Sequence, residues 1–142
     1  MTDVVLGIDS STQSTKVEAR ILDTGDVVAS ASASHPSTTP PVSEQDPTAW
    51  WSAVVAACAQ IPPQVRSQVV AVSVAGQQHG LVLLDEAGLP VRPAKLWNDT
   101  TSAAEATALV HATNPDAWAA AIGSLPVAAF TISKLAWVAH HE

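Results

Sequence analysis

Val69-Val70-Ala71-Val72-Ser73-Val74-Ala75-Gly76-Gln77-Gln78-His79-Gly80 is the stretch from which the rest of the chain is best read. Residues 69–74 form an almost unbroken run of small and β-branched side chains. Such a run fits a strand covered on both faces, so the expectation is a central strand of a sheet. The run then gives way to two small residues and three side chains that hydrogen-bond. Three adjacent polar side chains are costly to bury without partners. Polar groups at the end of a buried strand commonly serve a ligand. Residues 75–80 are therefore a candidate binding segment.

Upstream, residues 4–8 form a short apolar strand pattern, and residues 16–22 alternate enough for a second strand. Asp23-Thr24-Gly25-Asp26 is a turn and residues 27–34 a third strand, which predicts a three-stranded meander. Residues 36–42, rich in Pro, Ser and Thr, form a loop. A helix starts at Asp46 with Pro47 in its favoured first position, and Ile61-Pro62-Pro63 ends it. Trp50, Val54 and Cys58 share one face of that helix, widened by Trp51 and Val55. Downstream, residues 81–84 predict a strand closed by Asp85-Glu86-Ala87-Gly88, and residues 94–97 a short one. Ser102-Ala103-Ala104-Glu105 fits a capping box for a helix to about His111. Asn114-Pro115-Asp116 opens another, stopped by Gly123, and Thr131 caps a last one through Ile132, Leu135 and Ala136. Early strands and later helices give an α/β or α+β domain with a mixed sheet. The final stretch, Trp137 to Glu142, carries no Gly or Pro stop, and so few helices leave one sheet face uncovered. Further chain or a partner is expected there.

Bulk properties narrow the function classes. A chain of 142 residues fits one domain with a core, and 47% apolar against 13% charged residues is a folded composition. The net charge is -7 with six Lys and Arg and no basic run, so nucleic acid and anionic membranes are poor partners. No apolar stretch approaches the ~20 residues of a membrane span, and Met1-Thr2-Asp3 lacks the positive start of a signal peptide. Cys58 is the single cysteine, which excludes a disulfide or a Cys-type zinc site within the chain and suits a reducing cytoplasm. Its place on an apolar helix face favours core packing. A phosphate ligand is compatible with the acidic balance, because backbone amides and Mg²⁺ neutralise phosphate locally.

Three segments can carry chemistry. In Asp9-Ser10-Ser11-Thr12-Gln13-Ser14-Thr15-Lys16, a tight hairpin can aim amides and hydroxyls at one phosphate. Asp9 at the strand end can hold Mg²⁺ directly or through water, and Lys16 adds charge if it turns inward. The plainer alternative is a polar hairpin with a solvated lysine. In the second segment, Gln77, Gln78 and His79 suit a polyhydroxylated ligand, whose hydroxyls donate and accept, while Gly76 and Gly80 permit close approach. A lone structural histidine is the competing reading. In the third, Trp97 can shield an apolar sugar face while Asn98 and Asp99 bond hydroxyls, against a buried Trp followed by a polar turn. Together they predict a small-molecule site next to a phosphate site. His111, His140 and His141 share no metal-binding spacing, and no Walker A, GxGxxG or HExxH motif occurs.

These landmarks, in this order, resemble the N-terminal part of the FGGY carbohydrate kinases. The pieces are Gly7-Ile8-Asp9 with Ser11-Thr12, Ser43-Glu44-Gln45-Asp46-Pro47 with Trp50-Trp51, Ala75 to Gly80, Leu96-Trp97-Asn98-Asp99 and the helix from Leu135. The Gln-x-His-Gly piece is similar to the xylulose-phosphorylating branch, while the Asp9 hairpin is shared by the wider sugar-kinase, actin and heat-shock ATPase superfamily. The resemblance implies an actin-like ATPase (ribonuclease H-like) fold, with residues 1–142 as part of the N-terminal domain and the C-terminal domain absent. It implies ATP and Mg²⁺ as cofactors and transfer of the γ-phosphoryl group to D-xylulose. By position, Asp9 assists with Mg²⁺ and phosphate, Ser11, Thr12, Gln13, Ser14 and Lys16 line the phosphate hairpin, and Gln77, Gln78, His79, Trp97, Asn98 and Asp99 meet the sugar. A cytoplasmic enzyme is implied, with a homodimer left open for the full-length protein.

Two departures bear on this. Ser11 and Ser14 stand where the family hairpin usually has glycines, which strains the backbone if φ is positive there. Gln78 stands where Met is frequent, which bears on sugar preference. The family's catalytic aspartate has no match here, so the chain alone is expected to be inactive. The alternatives are a kinase for L-ribulose, gluconate or glycerol, and a non-catalytic sugar-binding module. Glutamine plus histidine in place of an Arg-Glu pair argues against glycerol.

Overall fold

Alternation in three consecutive strands builds the first layer. In β1 (Val4–Ser10) the side chains of Val4, Leu6 and Ile8 are buried, and in β2 (Ser14–Ile21) those of Thr15, Val17 and Ala19. β3 (Val27–Ser34) lies at the sheet edge and offers only the half-buried Ala29, Ala31 and Ala33 to the core. The pairings are antiparallel, β1 to β2 and β2 to β3, so the predicted meander is present. The computed structural model describes residues 2–142, which divide into two compact units. One comprises the chain to Ser37 with Pro47–Gln77, and the other Thr38–Asp46 with Gln78–Glu142. Among the described residues no helix is long and apolar enough to cross a membrane.

The first unit is completed by α1 (Pro47–Gln60), the single turn α2 (Pro63–Arg66) and β5 (Val69–Gly76). Trp50, Val54 and Cys58 form a half-buried face of α1, as the spacing predicts. Its deepest residues are Ala53 and Ala57, small side chains that let the helix lie close to the sheet. Val54 and Cys58 flank this contact, while Trp51 and Val55 are exposed. β5 runs parallel to β1, with Leu6 opposite Val72, Ile8 opposite Val74 and Asp9 opposite Ala75. The sheet order is β3-β2-β1-β5, so β5 is an edge strand and not the central strand expected. Val70, Val72 and Val74 remain exposed because nothing among the described residues covers them.

In the second unit, β4 (Glu44–Gln45) pairs antiparallel with β6 (Ala94–Lys95), and three helices follow: α3 (Ala103–Ala112), α4 (Pro115–Ile122) and α5 (Thr131–His141). Residues 81–84 do not make a strand. They are held only by isolated bridges from Leu81 to Lys95 and from Leu84 to Pro90. α4 is built as predicted, with the Asn114 side chain accepting from the Asp116 amide and Gly123 closing the helix at φ 72°. The capping box at α3 does not form. Ser102 holds the N-cap position, but its hydroxyl donates to the carbonyl of Ala128. At α5 the cap residue is Phe130, and Thr131 is the first helical residue.

Candidate functional site

In the first unit, the β1–β2 turn and the end of β5 lie side by side. Asp9 pairs in register with Lys16 on one flank and Ala75 on the other, so their side chains share a sheet face. Asp9 and Lys16 are exposed and line, with Glu18, Arg20 and Ser73, an open hollow of about 350 Å³. The turn is closed by the Ser11 amide donating to the Ser14 carbonyl at 3.0 Å, and the Ser11 hydroxyl donates to the same oxygen. Neither Ser11 nor Ser14 has positive φ, so the two serines cause no left-handed strain. The Ser11 hydroxyl is spent inside the turn. Thr12 donates through its hydroxyl to Gln77 Oε1 at 3.2 Å, and the Gln77 amide donates to the Ser10 carbonyl. Gln77 therefore ties the hairpin to β5. Behind the hairpin, the fully buried Thr15 bridges Ser10 Oγ and His35 Nε2 at 3.2 and 2.9 Å.

The hollow fits a magnesium-bound phosphate in its donor chemistry. No group of three or more His, Cys, Asp or Glu gathers among the described residues; the hollow holds two carboxylates, Asp9 near the strand end and Glu18, which is paired with Arg20. Mg²⁺ is commonly held by one or two carboxylates, with water and substrate phosphates completing the shell. Lys16 in the same hollow adds a positive charge suited to phosphate.

In the second unit, the bridge between Leu81 and Lys95 sets Gln78-His79-Gly80 and Leu96-Trp97 at the same end of a short antiparallel contact. Gln78 and His79 are exposed, and Trp97 is 49% exposed. His79 is the one non-glycine residue with positive φ among the described residues, at 61°. Its ring stacks on Phe130, with centroids 4.8 Å apart and planes 24° from parallel. Gly80 has no such φ, and a Cβ there meets only the Lys95 carbonyl at an ordinary 3.7 Å. A Cβ at Gly76 meets Ser10 O at 3.8 Å. The protein itself does not require glycine at either place. Asn98 Oδ1 is buried and has no hydrogen-bond partner among the described residues, which leaves an acceptor to be satisfied.

Asp99 is placed differently from Trp97 and Asn98. It is fully buried, and its carboxylate accepts from the Ser43 amide at 2.9 Å and the Thr101 amide at 3.0 Å, and also from the Thr101 hydroxyl. Burial pushes this carboxyl up, but those hydrogen bonds and the nearby Lys95 charge outweigh it and hold it below the usual carboxylate value. Lys95 Nζ is 3.4 Å from Asp99, bonds Glu44 at 2.9 Å, and lies 3.9 Å from the Trp137 ring centroid. Asp99 thus shapes the segment from behind.

Reading along the sequence missed Phe130 and Lys134. Phe130 is the single phenylalanine of the chain and follows a run of small residues. That isolation was the available signal, but its partner lies 51 positions earlier. Lys134 is fully buried and donates to the carbonyls of Ala128, at 3.0 Å, and Ala129. Burial is the main cause that drops its ammonium pKa to about 8; the charge of Lys95 lowers it further and that of Asp99 opposes.

Comparison with known proteins places this chain among carbohydrate kinases. Residues 4–142 match the FGGY family of carbohydrate kinases, N-terminal domain. The chain is 48% identical over 140 residues to a xylulose kinase of Streptomyces coelicolor, covering 98% of this chain and 29% of that protein. A xylulose kinase of Escherichia coli is 40% identical over 142 residues, with 96% and 28% covered. The crystal structure of xylulose kinase from Bifidobacterium adolescentis superposes with a TM-score of 0.88 at 40% identity, covering 99% of this chain and 30% of that one. The chain therefore spans about three-tenths of the length of these relatives.

Proposed function

Because this chain belongs to the FGGY family of carbohydrate kinases, we propose that it is the N-terminal part of an ATP-dependent kinase that converts D-xylulose to D-xylulose 5-phosphate. The observation that carries the reading is the likeness to xylulose kinases along nearly the whole chain, at up to 48% identity. The geometry is compatible with it. Gln78 and His79 are exposed at the segment that opens onto solvent, and Asn98 keeps an unpaired acceptor. Gln78 and His79 can each bond a sugar hydroxyl, Trp97 can cover an apolar sugar face, and Asn98 would join them where the sugar reaches its buried acceptor. Asp99 supports Trp97 and Asn98 through the Ser43 and Thr101 bonds.

ATP, when bound, supplies the phosphoryl group, and Mg²⁺ neutralises its charge. Asp9 would hold the ion directly or through water. Lys16 and the hairpin residues Ser11, Thr12, Gln13 and Ser14 would orient the phosphates. Phosphoryl transfer depends mostly on positioning and charge neutralisation, so a stiff hairpin tied to β5 through Thr12 and Gln77 serves it. In this reading the rest of the kinase brings the adenosine site and the catalytic base, and the enzyme works in the cytoplasm.

Calorimetric titration of the chain with D-xylulose, L-ribulose, gluconate and glycerol tests the substrate. D-xylulose should bind most tightly, with His79→Ala and Gln78→Ala each weakening it about tenfold or more, the scale of a lost hydrogen bond to a ligand. Tighter binding of glycerol or gluconate would overturn the assignment. With ATP, Mg²⁺ and D-xylulose, the chain should release no ADP above background. Steady turnover would show that the base lies within it.

A further inference from the structure

We propose that Phe130 is a positioning residue for His79, fixing the ring of that histidine in the orientation in which it meets the sugar; the sugar part rests on the kinase reading above. Three observations converge on this pair. His79 is held at φ 61°, a conformation that costs a β-carbon-bearing residue free energy and persists only where surroundings enforce it. The residue is exposed, so packing around it does not impose its ring orientation. The contact that does is the near-parallel stack on Phe130, at 4.8 Å.

Phe130 is in turn held more firmly than a surface loop residue needs to be. Three fully buried side chains donate to the three carbonyls just before it. Ser133 Oγ donates to Val127 at 2.9 Å, and Ser102 Oγ donates to Ala128 at 3.1 Å. Lys134 Nζ donates to Ala128 and Ala129. The carbonyl of Phe130 itself accepts the Ser133 amide that begins α5. Burying an ammonium merely to tie down a loop is costly. The arrangement makes sense when the residue at the end of that loop must not move. The order of action is then α5 and Ser102 to the 127–129 backbone, that backbone to Phe130, and Phe130 to His79.

A double-mutant cycle with an NMR readout tests the proposal on the chain. The wild type, Phe130→Leu, Phe130→Tyr, His79→Ala and Phe130→Leu/His79→Ala are compared for D-xylulose affinity, and the His79 ring protons are assigned in the first three. Phe130→Leu should remove the ring-current displacement of the His79 protons and weaken binding about three- to tenfold, the scale of an aromatic stack. Phe130→Tyr should restore both. In the His79→Ala background, Phe130→Leu should cost nothing further, because its effect passes through His79. A loss of affinity that adds fully to that of His79→Ala, or His79 protons unchanged in Phe130→Leu, would overturn the proposal. If Phe130→Leu does not fold, the Phe130→Tyr spectrum decides: the enlarged ring must keep the His79 protons displaced. If the wild type binds no D-xylulose at all, the sugar reading fails, while the Hα–Hβ couplings of His79 in wild type and Phe130→Leu still decide whether Phe130 sets the ring: a single rotamer in the first and averaged couplings in the second are expected, and unchanged couplings would overturn it.

Discussion

At the scale of single residues, Asp99 shows how a motif position can be held by the protein's own groups. Its place beside Trp97 and Asn98 suits a hydroxyl-binding group. It is instead fully buried, and its oxygens bind the Ser43 amide and both the amide and hydroxyl of Thr101. Its folded-state pKa lies below the ordinary value, so the unfolded chain binds the proton more readily. Stability from Asp99 is therefore present above about pH 4 and is lost as pH falls through the folded pKa. Asp99→Asn should cost about 3 kcal/mol at pH 7, because an amide cannot accept all three bonds and the buried Lys95 loses one anion. Urea unfolding at pH 7 and pH 3 checks this. The gap between wild type and Asp99→Asn should narrow at the lower pH, and a constant gap would assign the loss to packing. Thr101 is a local partner of Asp99, but the Ser43 amide that helps bury it lies 56 positions away, out of reach of a reading along the chain. Trp97 and Asn98, by contrast, are where a strand-end motif leads one to look.

At the scale of elements, what the sequence reveals depends on how local the cause is. The meander, the Pro47 start of α1 and the Asn114–Gly123 frame of α4 follow from turn and cap chemistry within a few residues, and all three are present. The α3 capping box failed because Ser102 found a more distant acceptor, Ala128. The strand at 81–84 failed because only two isolated bridges hold it. α5 carries the largest surprise, a fully buried Lys134 between Ile132 and Leu135. Its pKa of about 8 lies below the ordinary lysine value of 10.5, so folding releases protons between those two limits. Stability should consequently rise with pH across that window. Between pH 7.5 and 9.5 the wild type should gain about 1–2 kcal/mol relative to Lys134→Met, whose buried residue 134 does not titrate. Chemical unfolding of both proteins at the two pH values measures it. Parallel curves would show that the ammonium is better compensated by the Ala128 and Ala129 carbonyls than its burial implies.

At the scale of the whole molecule, the decisive feature is again β5, whose sequence belongs to a strand covered on both faces while its place is at an edge. Val72 and Val74 sit in register with Leu6 and Ile8, so they extend the core face of the sheet, yet they are 55% and 67% exposed. Hydrophobic composition reports the burial a strand is suited to, and only the sheet order shows whether a neighbour supplies it. An exposed apolar edge strand also offers unpaired backbone groups to any second strand. The chain should therefore self-associate through β5 as its concentration rises. Val72→Lys/Val74→Lys should abolish that association, because edge charges block strand addition. Stability should change by less than about 0.5 kcal/mol, as for exposed positions generally. Sedimentation velocity over a concentration series, with urea unfolding of the same samples, separates the outcomes. A wild type that stays monomeric would show that the edge is already protected, and a variant that unfolds would show that these valines contribute to the core despite their exposure.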